Sequence, residues 1–140
     1  MKADFITDAM LEDWHSNGFL VVRGVYDAGQ MKEITRWVSD IQNWPETPGR
    51  HMMYFENSLS EPGKRVLNRV ENFIPYHAEI ARLFDDDLKS ACSRLFGEEA
   101  ALFKEKINFK LPGGGGFEAH QDAQAGWERY AQHYITATVI

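Results

Sequence analysis

The chain has 140 residues, of which 44% are hydrophobic and 26% are charged, and its formal net charge is −6. This composition is typical of one globular domain and excludes a disordered chain. Because the chain is acidic and has no basic stripe, we expect no nucleic-acid partner. No apolar run is long enough for a transmembrane helix, so we expect no membrane association.

Cysteine content and the N-terminus both favour a cytoplasmic location. The single cysteine, Cys92, excludes an intrachain disulfide and a cysteine-based zinc site. The first residues, Met1–Asp4, do not begin the apolar stretch of a secretory signal peptide. We therefore predict a cytoplasmic protein.

Capping residues and apolar spacing predict a helical or mixed region over residues 1–99. Three elements are expected first, in chain order: a short helix capped by Thr7 or Asp8 that reaches Trp14, a strand at Phe19–Arg23, and a helix from its cap Asp27 to about Asn43. Four follow: an extended segment at Met52–Glu56, a segment at Val66–Phe73 that is ambiguous between strand and helix, a short helix at His77–Phe84, and a helix to Phe96 that Asp85, Asp86 and Asp87 begin.

The sequence pattern of residues 100–140 is typical of strands. Polar and apolar side chains alternate over Ala101–Leu111, with Glu105 as an exception, which predicts a half-buried strand with one polar face. A glycine loop, Gly113–Gly116, follows, and Tyr134–Ile140 is predicted to be a terminal strand. Helices followed by antiparallel strands indicate an α+β class with a mostly β core, in one domain over residues 1–140.

His120 and Asp122 are the first candidates for chemistry. In a strand, residues i and i+2 face the same side, so imidazole and carboxylate could converge on one ion. This donor pair, without a thiolate, suits Fe(II) or another borderline divalent metal. The alternative is a polar loop end that hydrogen-bonds locally, since such triplets are common by chance.

Two further features leave alternatives open. Lys104, Lys106 and Asn108 share one strand face, which is either solvated or the wall of a cavity for an anion such as a dicarboxylate. The glycine loop lacks the residues that complete a phosphate-binding motif. It is therefore either a plain flexible turn or a loop that lets the backbone pass close to a site.

The segment Leu102–Asp122 resembles the phytanoyl-CoA hydroxylase-like (PhyH) family of Fe(II)/2-oxoglutarate dioxygenases, in which a strand, a Gly-rich loop and an H-x-D motif occur in this order. Met53–Glu56 and Arg69–His77 are also similar to bacterial members, some of which are similar to hydroxylases of small aminophosphonates. The resemblance implies a double-stranded β-helix (jelly roll) with N-terminal helices packed outside. It also implies hydroxylation of a small polar substrate by O2, coupled to conversion of 2-oxoglutarate to succinate.

The resemblance further implies residue roles. His120 and Asp122 become the first two iron ligands, and the carboxylate of Asp122 argues for hydroxylation, because related halogenases have a small residue there. Expected contacts to 2-oxoglutarate come from Asn108, Lys104 or Lys106, and Thr136 or Thr138. Expected contacts to the substrate come from Gln121, Gln124 and Trp127.

The family also requires a distal His and, after it, an Arg that pairs with 2-oxoglutarate, both well downstream of the H-x-D motif. A jelly roll needs about eight strands, and the sequence predicts only about four. We therefore expect the chain to be the N-terminal part of a longer enzyme and inactive alone. The alternatives are a non-catalytic jelly-roll binding module and an inactive fragment.

Overall fold

A computed structural model describes residues 5–140, without the side chain of Ala123. The interpretation of Met1–Asp4 therefore lies outside the described residues. The first two helices confirm the capping predictions. Helix α1 (Asp8–Asn17) begins where the hydroxyl of Thr7 accepts a hydrogen bond from the Met10 amide, at 3.2 Å. Helix α2 (Ala28–Gln42) begins at a capping box between Asp27 and Gln30.

Three antiparallel strands form one sheet in the order β1-β2-β3. They are β1 (Met52–Asn57), β2 (Arg65–Glu71) and β3 (Lys106–Asn108). The register of β1 against β2 shifts between Tyr54 and Phe55. This irregularity lets Leu67 and Val70 of β2, three positions apart, both reach the core. The ambiguous segment around Val66 is thus a strand.

One face of the sheet is buried against helices. The centre of the core consists of buried side chains from α2, β2 and the segments that follow β2 and β3: Ile41, Leu67, Val70, Phe73, Ile80 and Phe109. The opposite face carries polar side chains, because Tyr54, Arg69 and Asn108 lie opposite one another across the three strands. The sheet therefore presents a polar surface on the side away from the helices.

The third helical region is continuous, which corrects the predicted break before Asp85. Helix α3 (Ala78–Arg82) runs into a π-helical turn (Leu83–Leu88) and then into α4 (Lys89–Phe96). The three aspartates lie in the π-helical turn, so they do not cap a helix. The predicted end of this helix at Phe96 is correct, since Gly97 follows it in the left-handed region at φ 75°.

The strand predictions at both ends of the chain are wrong. Phe19–Arg23 and Tyr134–Ile140 are irregular, because neither segment forms a ladder with another strand among residues 5–140. The strand predicted over Ala101–Leu111 shrinks to β3, which begins at Lys106 because its partner β2 ends at Glu71. Its alternation of burial nevertheless holds from Glu105 to Leu111.

Glu105, the exception in that alternation, is buried because its carboxylate accepts a hydrogen bond from the Ile74 amide, at 3.0 Å. In the part of the chain that the structure describes, every helix falls short of the length and apolarity needed to cross a bilayer.

Candidate functional site

His120 and Asp122 lie beside each other, although neither is in a strand. The segment from Phe109 to Gln121 contains no helix or strand, and Asp122 begins a short 3-10 helix (Asp122–Ala125). The Nε2 atom of His120 lies 3.6 Å from Oδ1 of Asp122. The strand geometry expected for this motif is therefore wrong, since a turn brings the two side chains together.

Each of these side chains is oriented by a second contact. Nδ1 of His120 lies 2.7 Å from the carbonyl oxygen of Glu118, and a carbonyl only accepts, so Nδ1 carries the proton. In the neutral ring Nε2 then presents its lone pair toward Asp122. The hydroxyl of Thr136 donates to Oδ2 of Asp122 at 3.0 Å, while Oδ1 is the oxygen nearer to His120.

The pair fits a divalent metal ion. Two donors at about 2.1 Å from one ion can lie up to about 4.2 Å apart, and the observed 3.6 Å is within that limit. Metal-binding histidines commonly donate their other ring N–H to a carbonyl or carboxylate, as His120 does. Among the described residues no group of three or more His, Cys, Asp or Glu side chains forms a metal cluster. The described residues thus offer a two-donor site, His120 and Asp122.

A groove of about 530 Å³ adjoins His120 on the polar face of the sheet. Its polar walls come from both sheet strands β2 and β3 and from the segments after β3: Arg69, Lys106, Asn108, Lys110, Glu118 and His120. Three of these side chains are cationic and one, Glu118, is anionic, so the net positive charge of the groove suits an anion. Two of the predicted 2-oxoglutarate contacts, Lys106 and Asn108, line it.

The remaining predicted site residues lie outside this groove. The ammonium of Lys104 lies 5.0 Å from the ring centroid of Trp127, and Trp127 packs against Phe103 and Tyr134. Gln121 and Gln124 are exposed, and the Gln121 carbonyl accepts the Gln124 amide at 3.1 Å.

Thr138 lines a separate apolar crevice of about 340 Å³ between α1, α4 and the C-terminal segment. Thr136, the alternative to Thr138, contacts Asp122. The roles assigned to all these residues stay predictions.

Two groove residues, Arg69 and Lys110, received no role from the sequence. Lys110 shares the parity of Lys106 and Asn108, so its place on the polar side was readable from the alternation. Arg69 is on a different strand, and only the pairing of Arg69 with Asn108 brings it to the groove. The sequence feature that could have pointed to Arg69 is its position in the stretch Arg69–His77, which resembles bacterial family members.

The glycine loop passes close to the hairpin between β1 and β2. The Leu59 amide donates to the Gly113 carbonyl at 2.8 Å. A Cβ atom added at Gly114 would lie 2.8 Å from Oε1 of Glu56, so the carboxylate of Glu56 would have to move. This approach joins the loop before His120 to the sheet, and the passage of the loop close to a site stays a prediction.

These features define an α+β protein with a candidate divalent-metal site beside a basic groove. Residues 14–139 match the family model described as Phytanoyl-CoA dioxygenase (PhyH), so the chain belongs to that family. The family resemblance predicted from the sequence is confirmed.

Characterised relatives agree with this assignment. Over 136 residues the chain is 43% identical to a 2-aminoethylphosphonate dioxygenase of Uncultured bacterium HF130_AEPn_1, covering 96% of this chain and 52% of the relative. It is 35% identical to a methylphosphonate hydroxylase of Gimesia maris, covering 96% and 50%. It is 28% identical to the dioxygenase lolE1 of Epichloe uncinata, covering 89% and 48%.

The chain spans about half the length of the curated relatives it matches. No solved structure matches the chain significantly.

Proposed function

We propose that this chain belongs to an Fe(II)/2-oxoglutarate-dependent oxygenase that hydroxylates a small polar substrate and converts 2-oxoglutarate to succinate. The observation that carries the proposal is the His120–Asp122 pair, whose donor atoms lie 3.6 Å apart beside a basic groove. Family membership and relatives named dioxygenase or hydroxylase support it. In this proposal the three-stranded sheet is part of a jelly roll, and residues outside this chain supply a second His ligand and the Arg for 2-oxoglutarate.

The chain's own residues have separate tasks in this proposal. Iron, when bound with 2-oxoglutarate, supplies the O2-dependent oxidation of an unactivated C–H bond. Nε2 of His120 and Oδ1 of Asp122 hold the ion, and the hydroxyl of Thr136 fixes the rotation of the carboxylate. Lys106 and Asn108 offer a cation and an amide to the carboxylates of 2-oxoglutarate, a dianion.

The substrate class is proposed from the relatives and from charge. Two relatives carry names that specify phosphonates, which are small anions. The groove beside His120 holds three cationic side chains, and such a site attracts and retains an anion. The substrate contacts expected of Gln121, Gln124 and Trp127, and the 2-oxoglutarate contacts expected of Lys104 and Thr138, stay predictions, because these five residues lie outside the groove. We also propose a cytoplasmic location for the protein.

The test uses the full-length protein with ferrous iron, 2-oxoglutarate and 2-aminoethylphosphonate or methylphosphonate. We expect His120→Ala and Asp122→Ala each to reduce succinate formation at least a hundredfold and to weaken Mn(II) binding in a calorimetric titration. His15→Ala is the matched control, because His15 is exposed in the last turn of α1, and we expect it to leave both measurements unchanged.

Turnover that survives both metal-site variants would refute the proposal. A wild-type protein that binds metal but forms no succinate with either phosphonate or with a wider set of small polar compounds would instead establish the non-catalytic binding module.

A further inference from the structure

Arg69 is held in a defined position on the polar face of the sheet. Its guanidinium carbon lies 4.1 Å from the ring centroid of Tyr54 on β1, and its Nε atom lies 2.8 Å from Oε1 of Glu71. The Arg69 side chain is 32% exposed and that of Glu71 is 14% exposed. A stacked and ion-paired guanidinium loses little further conformational entropy when a ligand binds it.

The position of Arg69 directs it to the groove beside the metal-site pair. Arg69 lies directly opposite Asn108 in the sheet, and both line the groove that His120 also lines. Since Nε is buried beside Glu71, the two terminal nitrogens of the fork are the part of the guanidinium that can serve a ligand. A guanidinium fork matches two oxygens of a carboxylate or phosphonate in a bidentate pair.

The groove contains more cationic side chains than the proposed contacts to 2-oxoglutarate use, since Arg69, Lys106 and Lys110 line it together with the carboxylate of Glu118. The proposed function assigns Lys106 and Asn108 to 2-oxoglutarate, which leaves Arg69 and Lys110 in the same groove. The ammonium of Lys110 lies 4.2 Å from the ring centroid of Phe117, and both residues line the groove with Arg69.

We propose that Arg69, held by Tyr54 and Glu71, is a specificity-determining residue that binds the anionic head group of the organic substrate. This inference rests on the proposed function, because the same groove must also hold 2-oxoglutarate. In this arrangement, side chains of β3 contact 2-oxoglutarate and the Arg69 side chain of β2 contacts the substrate.

The same strand offers a closely matched control residue. Arg65 also stacks on an aromatic ring of β1, with its guanidinium carbon 4.1 Å from the Phe55 centroid, and pairs with Glu46 at 3.0 Å. Tyr54 and Phe55 are adjacent in β1 and point to opposite faces, so Arg65 lies away from the groove. A general effect of removing a stacked arginine from β2 would appear in Arg65→Gln as well.

The experiment measures binding directly in full-length protein loaded with Mn(II), by calorimetric titration with methylphosphonate and separately with 2-oxoglutarate. We expect Arg69→Gln to raise the Kd for methylphosphonate about tenfold to a hundredfold, the range of a charged hydrogen-bonded pair, and the Kd for 2-oxoglutarate less than about twofold. Arg65→Gln should change neither. Arg69→Lys keeps the charge and the aliphatic stem, so it should fold and bind methylphosphonate with an intermediate Kd.

Several results would overturn the inference. They are a loss of 2-oxoglutarate binding alone, no change with either anion, an equal loss in Arg65→Gln, or no methylphosphonate binding by the wild-type protein. If Arg69→Gln does not fold, unchanged phosphonate binding in Arg69→Lys overturns it.

Failure of the proposed function is a separate result. A protein that binds methylphosphonate through Arg69 but never forms succinate keeps the anion site and loses the oxygenase. A protein that forms succinate with other substrates, but binds no phosphonate, loses only the inference on Arg69.

Discussion

Replacing Gly113 by alanine tests how closely the loop before the metal-site pair is fitted to the sheet. Gly113 has φ 85°, which side chains other than glycine rarely adopt. An added Cβ would lie 2.5 Å from the hydroxyl oxygen of Ser58 and 2.9 Å from that of Ser60. Both distances are below the closest contacts that real Cβ atoms make, so the serines or the loop must move.

The expected loss of stability has two parts. The left-handed backbone costs alanine about 1 kcal/mol, and forcing an extra methyl into a filled space costs about 1–3 kcal/mol. The clash also reaches the turn itself, because the Ser58 hydroxyl accepts hydrogen bonds from the amides of Ser60 and Glu61, at 3.3 and 3.1 Å. We therefore expect Gly113→Ala to lower the free energy of unfolding by about 2–4 kcal/mol.

The assay is urea unfolding followed by tryptophan fluorescence, with Gly116→Ala as the control. Gly116 also has a positive φ, 75°, but an added Cβ there meets nothing within 4 Å. It should cost only the backbone part, about 1 kcal/mol. The difference in the free energy of unfolding between the two variants measures the cost of the contact between the added Cβ and the hairpin.

Equal losses in Gly113→Ala and Gly116→Ala would refute this reasoning, because they would show that backbone conformation alone matters. A second check combines Gly113→Ala with Ser58→Ala and Ser60→Ala. If the clash is real, removing both hydroxyls should recover part of the lost stability in a mutant cycle.

Three further predictions concern the core, the metal site and pH. Phe73 is 1% exposed, so Phe73→Ala should cost about 3–5 kcal/mol in urea unfolding, whereas Phe19→Ala, at a side chain 65% exposed, should cost under about 1 kcal/mol. Thr136→Val removes the hydrogen bond to the metal-site carboxylate and should weaken Mn(II) binding about tenfold in calorimetry, and an unchanged affinity would contradict the orienting role. Burial, followed by the nearby Asp87 carboxylate, raises the pKa of Tyr26 from 10.0 to about 12. The unfolded chain therefore loses this proton first, and stability should fall as pH rises from 10 to 12, less steeply in Tyr26→Phe.

Signals that act within a few residues predicted this protein well. The side chain of Thr7 caps the start of α1, and the capping box of Asp27 and Gln30 begins α2. Helix α4 ends at Gly97. Burial from Glu105 to Leu111 follows the alternation of the sequence. These features depend on local backbone geometry and on the period of the side chains, so one sequence contains the information. The H-x-D motif named the candidate metal ligands for the same reason, since their chemistry belongs to their side chains.

Tertiary structure decided which segments pair and which side chains meet. Phe19–Arg23 has the composition of a strand but does not pair, because strand formation depends on a partner that lies far away in sequence. Arg69 reaches the groove because β2 lies between β1 and β3, a neighbourhood that no local pattern specifies. Asp122 approaches His120 through a turn, and Thr136 then orients its carboxylate from a segment 14 residues further along. The sequence by itself determined the candidate metal donors and the basic side chains of the groove. The folding of distant segments against one another decided their arrangement, since only burial and pairing across the whole chain select one set of neighbours.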